Sequence, residues 1–151
     1  MAHSSPPPKE LRTPSGLLPR MGIFRVRVRV FNLQDPENAK EIEVVVDTGA
    51  TYPVVPRGLA DELGLRTVEA RTFTLANGVE VSRSLAWAGL SVDGRSSPSL
   101  VVVGEAGDIP ILGAFALEGL GLEVDPVAKT LRPAHQFLLV SQVSETVDVT
   151  V

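Results

Sequence analysis

Val44-Val45-Val46 ends abruptly in Asp47-Thr48-Gly49-Ala50, placing one carboxylate where chemistry could use it. Val-rich runs read as buried strands. An acid delivered by such a strand is costly to bury unless it is hydrogen-bonded, paired or put to work. Thr48 offers a hydroxyl, and Gly49, with no Cβ, lets another backbone approach closely. The competing structural reading is that Asp47 caps its own loop. Other chemistries have little to draw on. With no cysteine, thiol catalysis, disulfides and cysteine metal sites are excluded. Histidine occurs only at His3 and His135, so neither a histidine metal site nor any cofactor is expected.

The elements that must position Asp47 follow from patterning. Phe24, Val26, Val28 and Val30 alternate with Arg25, Arg27 and Arg29, the period-two signature of a half-buried strand. Residues 34–40, with Asp35-Pro36, read as a loop, and residues 41–46 as the strand leading to Asp47. Antiparallel pairing would set Glu41 and Glu43 near the arginines, which reads as a solvated face rather than a phosphate site. After Tyr52-Pro53, Leu59, Leu63 and Gly64 indicate a short helix over 57–65 with a glycine cap. Residues 66–75 and 79–92 are strands around Ala76-Asn77-Gly78, and Asn-Gly between alternating runs is a strong hairpin signal. Residues 93–97 read as a turn, 100–103 as a buried strand and 105–108 as a loop. A short helix over 114–120 and a strand-turn-strand over 121–132 follow. Trp87 reads as core or sheet-face packing rather than a ligand platform.

Three segments together resemble the single-lobed, retropepsin-like aspartic proteases. Asp47-Thr48-Gly49-Ala50 looks like their catalytic loop, and Asn77-Gly78 sits where they carry a flap hairpin. Pro110-Ile111-Leu112-Gly113, followed by a helix-like run, resembles their second hydrophobic-hydrophobic-glycine motif. The resemblance implies a mainly β fold, a closed retropepsin-like barrel with a flap and one or two short helices. It also implies an aspartic endopeptidase in which Asp47 from each of two copies activates a water, hence a homodimer acting on a peptide or protein. Two carboxylates sharing one proton can take a proton from water and give one to the carbonyl oxygen. By the same resemblance Thr48 braces the loop across the dimer axis, Gly49 leaves room for substrate, and Ala76, Asn77 and Gly78 form the flap tip. Ala50 and Ile111 are implied on the substrate side, with Val54, Val55 and Leu75 as further pocket candidates. Viral members pair an acid directly after Asp-Thr-Gly-Ala with an arginine soon after the second glycine. Here those positions are Thr51 and Ala114, which points to a cellular, bacterial-type member. The alternative is a non-catalytic dimerisation or peptide-binding domain on the same fold.

Length and composition set the remaining bounds. A chain of 151 residues is one domain with enough length for its own core. A net charge of −4 is small and of the wrong sign for a nucleic-acid partner. No apolar stretch approaches the roughly 20 residues needed to span a membrane, and no secretory signal is evident, so a cytoplasmic protein is expected. Residues 1–21, with Pro6-Pro7-Pro8, read as a flexible Pro/Ser-rich arm, and the peptidase resemblance makes Arg20-Met21 its candidate self-processing boundary. Residues 22–134 read as the retropepsin-like domain. Residues 135–151 read as a tail, apolar and alternating enough to form a strand at a dimer interface.

Overall fold

In this computed structural model residues 23–138 are described. The arm expected over 1–21 and the stretch 139–151 of the expected C-terminal strand lie outside them. Residues 135–138 form no regular element.

The alternating valines form strand β1 (Phe24–Asn32), antiparallel to β2 (Asp35–Val46), with Phe24 opposite Val46 and Val28 opposite Ile42. Val28, Val30, Val44 and Val46 are all buried in one core. Arg27 and Arg29 lie opposite Glu43 and Glu41, and Arg27 Nε donates to Glu41 at 3.2 Å on an exposed face. The arginine stripe is thus a solvated, acid-paired face. The loop expected over 34–40 is instead mostly strand, because the turn needs only Leu33-Gln34. The Asn32 carboxamide oxygen accepts the Gln34 N–H at 2.8 Å and closes that turn, so the ladder resumes at Asp35.

β3 (Val54–Pro56) runs into α1 (Arg57–Leu63), which buries Leu59, Ala60 and Leu63 and ends at Gly64 in the left-handed conformation. Asn32 and Asn38 each donate to the Leu63 carbonyl, satisfying a helix end that has no intrahelical partner. β4 (Thr67–Thr74) and β5 (Glu80–Val92) form the long hairpin. Asp93-Gly94, both at positive φ, then turn directly into β6 (Arg95–Gly104). The turn expected over 93–97 is therefore two residues, the shortest that matches strand twist.

β7 (Ile111–Leu112) leads into α2 (Ala114–Leu120), and a separate hairpin of β8 (Leu122–Asp125) and β9 (Thr130–Pro133) follows. Arg95 Nη1 donates to the Leu120 and Gly121 carbonyls at 3.1 and 3.0 Å, placing a cation at the C-terminus of α2. The main sheet runs β1-β2-β7-β3-β6-β5-β4, and β1 also pairs with β5. The hydrogen-bonded order thus returns to its start, leaving β4 outside the circuit on the edge of β5. Two pairings are parallel, β2 with β7 and β3 with β6. Helices α1 and α2 contribute Leu63, Leu117 and Leu120 to the valine core. The class is mainly β with two short helices, as the sequence implied.

Candidate functional site

Asp47 emerges from the last residue of β2 and is 6% exposed. Its neighbour on one side is β7: the Val45 N–H donates to Pro110 at 3.0 Å, and the Asp47 N–H to Leu112 at 3.2 Å. Beyond Asp47 the chain turns at once. The Asp47 Oδ1 accepts the Gly49 N–H at 2.9 Å, and the Asp47 carbonyl accepts the Ala50 N–H at 3.1 Å. The loop-capping role is therefore present in the structure, beside whatever else the carboxylate does. Thr48 and Gly49 are exposed on the single chain, while Ala50 is half-buried.

The loop is fastened from its far side by α2. The first N–H groups of a helix have no intrahelical acceptor. Here the Ala114 N–H donates to the Ala50 carbonyl and the Phe115 N–H to the Thr51 carbonyl, both at 2.8 Å. That approach requires glycine at 113. A Cβ there would stand 2.6 Å from the Ala50 carbonyl oxygen and 3.0 Å from the Tyr52 backbone. Ile111, Leu112 and Gly113 thus have distinct duties: Leu112 enters the core, Ile111 joins the ladder, and Gly113 admits the acid loop.

Of the substrate-side candidates, Ile111 lies opposite both Val45 and Val54 and is buried. Val54 is half-buried on the same rung, whereas Val55 points into the core at 2% exposure and is no pocket residue. The β4–β5 hairpin ends in the three-residue loop Ala76-Asn77-Gly78. The Leu75 N–H donates to Val79, the Gly78 N–H to Leu75, and Asn77 Oδ1 accepts the Val79 N–H. Only Gly78 takes a positive φ, +88°, so glycine is needed there and Asn77 acts through its side chain. Leu75 and Val79 at the tip are exposed. The structure thus gathers residues 47–50 with Ile111 and Gly113 into one hydrogen-bonded unit. It places Ala76, Asn77 and Gly78 at the end of a projecting hairpin. Trp87 is exposed on β5 opposite Leu100, on the sheet face and not in the core.

Two further constellations join residues that no local sequence pattern links. The Tyr52 ring meets Phe73 of β4 edge-on at 6.4 Å and Phe115 of α2 at 5.7 Å, and Arg71 Nη1 donates to its hydroxyl at 3.1 Å. Scarcity was the available signal: the chain has only seven aromatic side chains (five Phe, one Tyr, one Trp), and three meet here. The second constellation holds the segment entering β7. Arg83 Nε and Nη2 donate to the two Asp108 oxygens at 2.7 and 3.0 Å, and Asp108 Oδ2 also accepts the Glu105 N–H. The Arg83 hydrogen bonds hold the Asp108 carboxyl below its ordinary pKa. Partial burial opposes them, and the Glu105 N–H assists. Arg57 grips Glu105 in the same two-pronged way, lowering its pKa too.

Among the described residues no group of three or more His, Cys, Asp or Glu could hold a metal ion. No described helix is long and apolar enough to cross a membrane.

The family model described as "gag-polyprotein putative aspartyl protease" matches residues 37–118, from within β2 through the acid loop and into α2. Comparison with curated proteins returned no match. Among solved structures, the chain is similar to EIAV protease in complex with the inhibitor HBY-793. The TM-score is 0.51 at 22% identity, covering 65% of this chain and 88% of that one. Simian foamy virus (mac) protease matches with a TM-score of 0.45 at 16% identity, covering 63% and 92%. A retropepsin-like aspartic protease from Rickettsia conorii matches at 0.44 and 18%, covering 68% and 86%.

Proposed function

The chain belongs to the gag-polyprotein aspartyl protease family, on a match spanning more than half its length, and we propose that it is an aspartic endopeptidase acting as a homodimer. The observation that carries this reading is the setting of Asp47. A buried carboxylate ends the strand, its loop is held by β7 and α2, and the next two residues are exposed.

One chain supplies one such aspartate, and activating a water by carboxyl groups alone takes a pair that shares one proton, one member accepting a proton while the other donates. A second copy, placed so that the exposed Thr48-Gly49 turns face each other, supplies the other. One Asp47 carboxylate takes a proton from the water, while its protonated partner gives one to the scissile carbonyl oxygen. Thr48 braces the paired loops. An extended peptide lies between the acid loop and the hairpin tip, where Ala76, Asn77 and Gly78 offer main-chain hydrogen bonds. Ala50 and Ile111, with Val54 on the same rung, form the apolar floor beneath it.

A second reading has its own observation, the Gly49 N–H on Asp47 Oδ1: the aspartate holds only its loop, and the domain binds without cutting. Two substitutions separate the readings. Asp47→Asn keeps an Oδ1 acceptor for the Gly49 N–H, whereas Asp47→Ala removes it. Peptide-library cleavage across acidic to neutral pH is therefore compared among wild type, Asp47→Asn and Asp47→Ala. Cleavage by wild type that vanishes in a stably folded Asp47→Asn supports the peptidase. Cleavage retained in a folded Asp47→Asn would refute Asp47 as the catalyst, whereas cleavage absent throughout, with a fall in stability confined to Asp47→Ala, supports the loop-holding reading.

A further inference from the structure

β4 is held weakly for an element of its length. Seven of its eight residues are exposed, it sits outside the strand circuit, and its ladder to β5 is interrupted between Thr67 and Glu69. A two-stranded ribbon of this kind opens readily unless something anchors it. The anchor visible on its inner side is Tyr52, five residues beyond Asp47. Phe73, the one half-buried residue of β4, meets the Tyr52 ring edge-on, and Arg71, two residues back on the same face, both donates to the Tyr52 hydroxyl and lies 5.9 Å from its ring. Glu69, two further back, pairs with Arg71 and orients it. On its other side Tyr52 rests on Phe115, whose N–H already binds the Thr51 carbonyl. One side chain therefore touches the hairpin and α2 while belonging to the acid loop.

We propose that Tyr52 is a positioning residue that latches the β4–β5 hairpin to the acid loop and α2, and so sets how far the hairpin opens over Asp47. Its consequence for catalysis rests on the peptidase reading; the latch itself does not. The ring supplies the edge contacts with Phe73 and Phe115, and the hydroxyl adds one charge-assisted hydrogen bond from Arg71. Tyr52→Phe therefore loosens the latch partly, and Tyr52→Ala removes it.

Amide exchange on the intact chain reads the latch directly. In Tyr52→Ala, exchange over residues 67–80 should quicken roughly tenfold, the scale that the one ring pair and the one exposed hydrogen bond reaching the hairpin imply. Tyr52→Phe should fall between that and wild type, while β6 amides stay as they were. Phe73→Leu, which leaves the acid loop intact, should quicken the hairpin as well and stands in should Tyr52→Ala fold poorly. In cleavage assays Tyr52→Phe should raise KM more than it lowers kcat, since admission rather than the acid pair has changed. Unchanged hairpin exchange in both Tyr52→Ala and Phe73→Leu would overturn the latch. So would an equal rise in β6, which marks general loosening. If wild type cleaves no peptide, the peptidase reading fails, and the exchange pattern still decides the latch.

Discussion

Replacing Gly113 by alanine separates close approach from backbone conformation. Gly113 sits at φ −97° and ψ −176°, extended backbone that alanine adopts freely, so no conformational strain enters. The cost is steric. The new Cβ would lie 2.6 Å from the Ala50 carbonyl oxygen, about 0.8 Å inside ordinary contact, and 3.0 Å from the Tyr52 backbone. Every one of these neighbours is main chain, so no side chain can swing aside. Either the acid loop or the start of α2 must shift, stretching the 2.8 Å bonds from Ala114 and Phe115 to Ala50 and Thr51. Overpacking of this kind costs about 1–3 kcal/mol, and weakening two hydrogen bonds adds about 1 kcal/mol. The alanine recovers about 0.5–1 kcal/mol of unfolded-state entropy. The net loss is about 1–3.5 kcal/mol, a fall in Tm of roughly 2–14 °C. Thermal melts of Gly113→Ala should show it, alongside Gly58→Ala. A Cβ at Gly58, in α1, meets nothing within 4 Å, so that variant should hold or gain stability. On the peptidase reading, a shifted acid loop also lowers kcat, by on the order of a hundredfold for an ångström of displacement. A Gly113→Ala protein as stable as wild type would refute the interlock.

The Arg83–Asp108 pair gives a pH prediction. Because the folded Asp108 pKa is depressed, the unfolded chain binds the proton more readily. The pair's stabilisation is thus complete above the ordinary carboxyl range and lost as pH falls through the folded value. With side chains only 17% and 26% exposed, Asp108→Asn should cost about 1–2 kcal/mol at neutral pH. Urea titrations should show that gap closing in acid. Leu63→Ala, at 1% exposure in the core under α1, should cost about 2–5 kcal/mol in the same assay. Glu41→Gln, on the exposed arginine face, should leave the urea midpoint almost unmoved.

Local chemistry carried much of the fold into view. Asn77-Gly78, Gly64 and the β1 alternation each act through backbone geometry that neighbouring residues dictate, and each lies where patterning puts it. Residues 34–40 misread as loop because Asp35-Pro36 is turn-like in isolation. In the fold a two-residue turn suffices, and β1 is long enough to carry β2 out to Asp35. The parallel pairings of β2 with β7 and β3 with β6 leave no local trace, since they join residues more than 40 positions apart. For the same reason the motif Ile111-Leu112-Gly113 is recognisable by resemblance, whereas its physical reason, the Ala50 carbonyl against Gly113, exists only in the folded chain. Val55 could not be told from Val54 by residue type; only the register turns one inward and the other toward Ile111. Tyr52, Phe73 and Phe115 meet from three elements, and no spacing rule joins them.

The central claim is that two copies of Asp47 form one site. Wild type and Asp47→Asn, mixed in equal amounts and co-refolded so that subunits assort at random, test it most directly by peptide cleavage. If each active site needs an Asp47 from both subunits, only wild-type pairs cut. The mixture then retains about one quarter of the activity of the same total amount of wild type. A retained activity of about one half would mean that each chain works alone, and would contradict the paired-aspartate account.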